Sequence, residues 1–202
     1  MKSALADVSA ERDPTVKSLK MASLVSALWA EQGVELVVVG GSAIEIFTEG
    51  AYASGDLDLC HTTAATLPIR QRQEIMGLLG AVGGPRTWQV AGMFVDMLGA
   101  AESYAHTPYR RVEGPYGDVR LMKPEDLLVE RVLVSVYPGE DPTARKCARA
   151  LAVVALAGAV NMNWSEVLRV ANLPEYRNVN ECKTLVREVA NDLRVQYPFD
   201  PD

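Results

Sequence analysis

Cysteine, histidine, clustered positive charge and long apolar runs are all scarce in this sequence, and each shortage removes a class of protein. Among 202 residues there are three cysteines, Cys60, Cys147 and Cys182. The number is odd and no two stand at C-x-x-C spacing, so neither a disulfide framework nor a thiolate zinc site is expected. Free buried thiols in a reducing cytoplasm are. Two histidines, His61 and His106, are too few and too distant for a zinc centre. The longest apolar run, Ala150 to Val160, falls short of the ~20 residues a membrane span needs. The first residues mix acids with bases and carry no apolar leader core, which sets the expectation of a soluble, cytoplasmic protein with no membrane partner. Net charge is −6 with no basic tract, against a duplex nucleic acid as partner. A local patch for a tRNA end stays open.

What is present is an ordinary globular composition, 49% apolar and 23% charged, without repeats. Residues 1–13 are polar and read as loose. From Pro14 to Gln32, Val16, Leu19, Ala22, Leu24, Val25, Leu28 and Trp29 recur at helical spacing, with Gly33 as the stop. Val34 to Val39 is a buried strand ended by two glycines. Ser42 to Thr48 reads as a short helix, Asp56 to Cys60 as a strand, and Pro68 to Leu79 as a second helix. Strands follow at Thr87–Gln89 and Met93–Leu98. Residues 99–118, rich in Gly, Pro and Tyr, read as loop, and Val119 to Met122 as a short strand. Composition shifts at Lys123-Pro124. Beyond it come helices only, from Pro124, from Asp141-Pro142, from Asn163 with Glu166 in a capping-box pattern, and over 180–195. The expected fold class is α/β, in its α+β form, with a mixed-sheet α/β domain over 1–122 and a helical bundle over 123–202.

Three short segments carry the chemistry. Gly40-Gly41-Ser42 sits between a strand and a helix start, where backbone N–H groups and the helix dipole favour a phosphate. In Ser54-Gly55-Asp56-Leu57-Asp58-Leu59 the two aspartates lie at i and i+2, so both project from one face of a strand. Carboxylates held side by side repel unless a cation neutralises them, and magnesium takes such oxygen ligands. Asp96 is an acid inside the apolar strand Met93–Leu98, where it needs a partner. Each has a plainer reading alone: a glycine turn, a solvated strand face, a strand-end cap.

Strand, Gly-Gly-Ser, helix, Asp-x-Asp strand and a later lone Asp together resemble the nucleotidyltransferase core of the DNA polymerase β superfamily. Gly40-Gly41-Ser42-Ala43 followed by Tyr52-x-Ser54-x-Asp56-x-Asp58-Leu59 is most similar to its small prokaryotic members: minimal nucleotidyltransferases, AbiEii-type toxins and aminoglycoside adenylyltransferases. Lys123-Pro124-Glu125-Asp126-Leu127-Leu128 resembles the opening of the helix after that core. The resemblance covers about residues 34–135. It implies a mixed-sheet nucleotidyltransferase core followed by a C-terminal helical bundle. It also implies transfer of a nucleoside monophosphate from a nucleoside triphosphate to a hydroxyl acceptor, with release of pyrophosphate. By position, Gly40, Gly41, Ser42 and Ser54 would bind nucleotide. Asp56, Asp58 and Asp96 would hold two magnesium ions (Mg2+) and be the catalytic acids, Asp96 also helping to deprotonate the acceptor.

Many small members carry an arginine near the Tyr52/Ser54 segment, and none lies between Gly41 and Asp58 here. Arg110, Arg111, Lys123, Arg145, Lys146 and Arg149 are the remaining candidates to neutralise a triphosphate. The acceptor is open between a small molecule, a protein hydroxyl and a tRNA end. Glu102, Glu113, Asp118 and Glu125 would form an acidic rim suited to a cationic aminoglycoside. The alternative reading is a non-catalytic nucleotide-binding or toxin–antitoxin partner module on the same fold, as a homodimer or with an antitoxin. A helical interaction protein using 124–195 is a third. A dinucleotide site fails because the third glycine of G-x-G-x-x-G is missing.

Overall fold

The computed structural model describes residues 2–107 and 109–200. Asp13 opens the second helix, α2 (Pro14–Ala30), as its side chain accepts from the Val16 N–H at 2.9 Å and proline fills the first turn. Before it lies α1 (Lys2–Ala10), where the sequence reads as loose. Its polar turns are ordered from outside: Lys20 of α2 pairs with Asp7 at 2.8 Å and Glu11 at 3.0 Å, and the Tyr116 hydroxyl donates to Asp7.

The chain continues through β1 (Leu36–Val38), α3 (Gly40–Phe47), β2 (Asp56–His61), α4 (Ile69–Leu78), β3 (Val82–Gly83), β4 (Thr87–Val90), β5 (Met93–Ala100), β6 (Tyr109–Val112) and β7 (Val119–Met122). Among the described residues seven strands form one mixed sheet in the order β3-β4-β5-β2-β1-β7-β6. β2 pairs parallel with β5 and antiparallel with β1. β6 and the short β3 lie in stretches without a strand pattern. β6 forms because Tyr109 to Val112 pair antiparallel with Met122 to Val119. Leu57, Leu59, Val95 and Met97 alternate into the core, each contributing about 1.5–3 kcal/mol by burial. This leaves the odd-one-out residues Asp56, Asp58 and Asp96 on the other face.

The sheet belongs to one compact unit, Met1–Glu102 with Tyr109–Met122. The second unit is Ser103–Pro108 with Lys123–Asp202. It contains α5 (Pro124–Val136), α6 (Pro142–Leu156), α7 (Trp164–Ala171) and α8 (Val179–Leu193). Leu127, Leu128, Leu151, Val167, Val170, Val186 and Val189 fill its core. Asp141 caps α6 by accepting from Thr143 and Ala144 N–H. No helix of the described residues is long and apolar enough to cross a membrane.

The capping box expected at α7 is half built. Asn163 accepts from the Glu166 N–H at 3.2 Å, but the Asn163 N–H donates to Glu125 instead. The Glu166 carboxylate turns to Arg169 Nη2 at 2.7 Å and to the His106 N–H at 2.8 Å. The Arg169 guanidinium, then these amide and ring contacts, hold Glu166 at about 2, below the usual carboxylate range. A depressed carboxylate stabilises the fold above its ordinary pKa, and that contribution is lost as pH falls towards 2. Glu166→Gln is therefore expected to lower the melting temperature at pH 7 and to flatten its acid dependence between about pH 4.5 and 2. A variant whose melting-temperature curve runs parallel to wild type down the acid limb would contradict this.

Candidate active site

Register, not sequence proximity, assembles the acids. The parallel pairing of β2 with β5 sets Asp58 opposite Asp96 and Asp56 opposite Phe94. Asp56, Asp58 and Asp96 each bring a carboxylate oxygen within 4.8 Å of the others, all half-buried. Three like charges this close raise each other's energy. Asp96 Oδ1 is buried and has no hydrogen-bond partner in the protein. Three carboxylates gathered on one face, one of them with an oxygen that lacks a partner, are a donor set fit for a hard divalent cation.

Gly40 and Gly41 open α3 directly after β1. Gly40 stands at φ +60°, a conformation that costs glycine nothing. A Cβ on Gly41 would lie 3.1 Å from Ser54 Oγ and 3.4 Å from the Tyr52 hydroxyl, so the loop before β2 approaches the helix start closely. The first N–H groups of a helix have no intrahelical acceptor. Here they accompany the acids of β2, because the Val39 N–H donates to Asp58 O at 3.1 Å.

The Ser42 hydroxyl is fully buried and spans the same junction. It donates to Val39 O and accepts from the Asp58 N–H, both at 3.0 Å. Its one proton is thus given to the backbone, and it ties the start of α3 to the second acid. Ser54 Oγ donates to Asp56 Oδ1 at 3.2 Å, orienting the first acid.

One residue that holds this arrangement escapes sequence reasoning. Glu45 is 1% exposed, in an apolar helix of only two turns. One carboxylate oxygen accepts from the Ser54 N–H at 2.7 Å and the other from the Thr15 hydroxyl at 3.1 Å. The only signal was an acid among Ala43, Ile44, Ile46 and Phe47. Glu45→Ala leaves two half-buried donors without their buried acceptor and is expected to cost about 1–3 kcal/mol. Glu45→Gln keeps one acceptor for Ser54 and lets Thr15 turn to accept, so most of that stability should return. Urea denaturation of both variants checks the difference, and equal losses would count against the hydrogen-bond account.

The basic candidates separate. Arg145 and Arg149 do share a face of α6, but that face is spent on α8, Arg145 on Glu188 at 2.6 Å and Arg149 on Asp192. Arg110 lies over the Phe47 ring at 5.6 Å and Arg111 sits 3.7 Å from Asp118. Lys123 and Lys146 belong to the second unit. The acidic rim also loses a member. Glu125 is buried, with one oxygen on the Asn163 N–H at 2.8 Å and the other unpartnered, whereas Glu102, Glu113 and Asp118 are exposed.

No protein-family model matches the chain, and no curated protein matches it. Solved structures do. A nucleotidyltransferase-like antigenic protein from Paracoccidioides brasiliensis shares 14% identity, with a TM-score of 0.53 over 84% of this chain and 92% of that one. The antibiotic-resistance factor ANT(2'')-Ia in solution also shares 14%, with a TM-score of 0.50 over 91% and 95%. The fold is nucleotidyltransferase-like: a mixed α/β chain with a seven-stranded sheet and helices.

Proposed function

We propose that the chain transfers a nucleoside monophosphate from a nucleoside triphosphate to a hydroxyl acceptor and releases pyrophosphate. The observation that carries this reading is the Asp56, Asp58 and Asp96 cluster with its orphaned oxygen, set beside a glycine-opened helix. The nucleotidyltransferase-like fold supports it, shared as it is with a nucleotidyltransferase-like protein and with ANT(2'')-Ia.

Asp56, Asp58 and Asp96 would hold two magnesium ions, which would supply charge neutralisation at the attacking and leaving oxygens of an in-line displacement. The N–H groups at Gly40 and Gly41 would bind the β- and γ-phosphates, with glycine permitting the approach. Ser54 fixes Asp56, and Ser42 fixes the backbone at Asp58 from beneath the site. The acceptor oxygen bonds to the α-phosphorus as the bond to the bridging oxygen of pyrophosphate breaks. Asp96, the acid on the strand away from Gly40 and Gly41, takes the acceptor proton. Positioning and electrostatics therefore do the chemistry, with no covalent enzyme intermediate.

The test is calorimetric titration with ATP, GTP, CTP and UTP, with and without magnesium, followed by mass detection of pyrophosphate and adduct. Magnesium-dependent binding of one triphosphate with turnover supports transfer. Binding without turnover would favour the nucleotide-binding or toxin–antitoxin partner module, alone as a homodimer or with an antitoxin. No binding by folded protein sinks the reading.

A further inference from the structure

Outside the acid cluster, a second carboxylate oxygen lacks a donor. Glu125 is 6% exposed, in the first turn of α5. Its Oε1 accepts from the Asn163 N–H at 2.8 Å, and its Oε2 has no hydrogen-bond partner. Buried carboxylate oxygens are as a rule matched by a donor, because burial strips them of water. Glu125 lines a small cleft of about 130 Å³. The cleft lies wholly within the second unit, lined by the segment 105–107, the start of α5 and the start of α7.

A positive charge lines the same cleft without an anion. Lys123 enters none of the ion pairs of the described residues. It is the extended residue before α5, whereas Glu125 is already helical, and the two do not pair across Pro124. The other charges of the wall are spent. Both Glu166 oxygens are taken by Arg169 and His106. Asn163 Oδ1 accepts from the Ser165 hydroxyl and the Glu166 N–H. One acceptor and one cation are therefore unanswered in a single cleft. A simple cation would answer only Glu125, and a simple anion only Lys123. At about 130 Å³ the space is well under the ~300 Å³ at which drug-sized ligands begin, which excludes a nucleotide or an oligosaccharide.

We infer that this cleft binds a free α-amino acid with a small side chain. The ligand's ammonium donates to Glu125 Oε2, and its carboxylate accepts from the Lys123 ammonium. Asn163 and Thr107, both exposed, add a side-chain amide and a hydroxyl to the wall. Hydrogen bonds in which both partners are ionised are the strong ones, and only a zwitterion forms one at each end. A ligand with a single charge leaves the opposite protein charge unpaired, which is how such a cleft selects. The inference is independent of the transfer reading, since none of these residues belongs to the acid cluster and binding requires neither magnesium nor nucleotide.

The experiment is an amide chemical-shift titration of the full chain, without metal or nucleotide, read at Ala105, Thr107 and Asn163. The probes are L-alanine, ethylamine, which lacks the carboxylate, and propionate, which lacks the ammonium. Wild type is expected to bind L-alanine at least about tenfold more tightly than either fragment. Glu125→Gln keeps an acceptor for the Asn163 N–H and removes the negative charge. It should weaken L-alanine about tenfold and leave propionate unchanged. Lys123→Met should weaken L-alanine by a similar factor and leave ethylamine unchanged. No shift with L-alanine on wild type overturns the site. So does ethylamine binding as tightly as L-alanine, which would make the cleft a simple cation site. Variants that bind L-alanine like wild type overturn it too. Loss of calorimetric affinity for a magnesium triphosphate in Lys123→Met would give that lysine to the nucleotide and remove it from the cleft. The comparison of probes on wild type carries the test on its own if a variant fails to fold.

Discussion

Asp56→Asn, Asp58→Asn and Asp96→Asn should each lower nucleotidyl transfer by about a thousandfold or more, while metal-free protein melts at the same temperature as wild type or higher. The two halves of this result have one cause. Three carboxylates with oxygens within 4.8 Å repel, so each amide relieves the fold of a like charge. The same change removes an anionic ligand from the proposed cation site. Magnesium should therefore raise the melting temperature of wild type, because a ligand that binds only the folded state stabilises it by mass action. It should raise that of the variants much less. Transfer of labelled nucleotide, read beside thermal melts in magnesium and in chelator, checks both parts. A variant that keeps a tenth of its activity would remove that acid from the mechanism. One that unfolds without metal would mean the acid is structural.

The acids could be read because their signal is local. Asp-x-Asp puts two carboxylates on one face by strand geometry alone, and Asp96 announced itself as a charge in an apolar run. Other features depend on partners that sequence does not show. Phe94 looks like core by its neighbours, and only the pairing of β5 with β2 and β4 puts it on the acid face. α1 is too polar to bury much and holds through Lys20 and Tyr116, the latter more than a hundred residues away. β6 has loop composition and becomes a strand through its register with β7. The i, i+4 spacing of Arg145 and Arg149 puts them on one helix face, yet which surface that face meets is a tertiary fact. Glu45 shows the same limit from inside: a buried acid becomes intelligible only once Ser54 and Thr15 are seen to donate to it.

Asp126→Ala is expected to destabilise the chain by about 2–4 kcal/mol. Asp126 is fully buried, at the start of α5. Its Oδ2 accepts from the Ser103 hydroxyl at 2.5 Å, and its Oδ1 from the N–H groups of Tyr104 at 3.0 Å and Ala105 at 3.2 Å. One side chain thus binds the segment 103–107 to a helix some twenty residues later in sequence. Truncation strands three donors, two of them backbone groups that cannot turn elsewhere. Asp126→Asn should cost far less, since Oδ1 can still serve both amides and the Ser103 hydroxyl can rotate to accept from the new NH2. The charge is a burden as well as a ligand. Burial raises the Asp126 pKa, against the lowering effect of the Ser103 bond and the two amides. A raised carboxylate contributes stability below its ordinary pKa and loses it as pH climbs through the raised value. The amide should therefore remove a downward drift in stability above about pH 4 as well as the carboxylate itself. Urea denaturation at pH 4 and 7, with hydrogen exchange at the Tyr104 and Ala105 amides, separates the two effects. Fast exchange at both amides in the alanine variant and slow exchange in the asparagine variant would assign the segment's order to these bonds. Equal protection in both would place its order in the Glu166 and Arg169 contacts to His106 and Tyr104 instead.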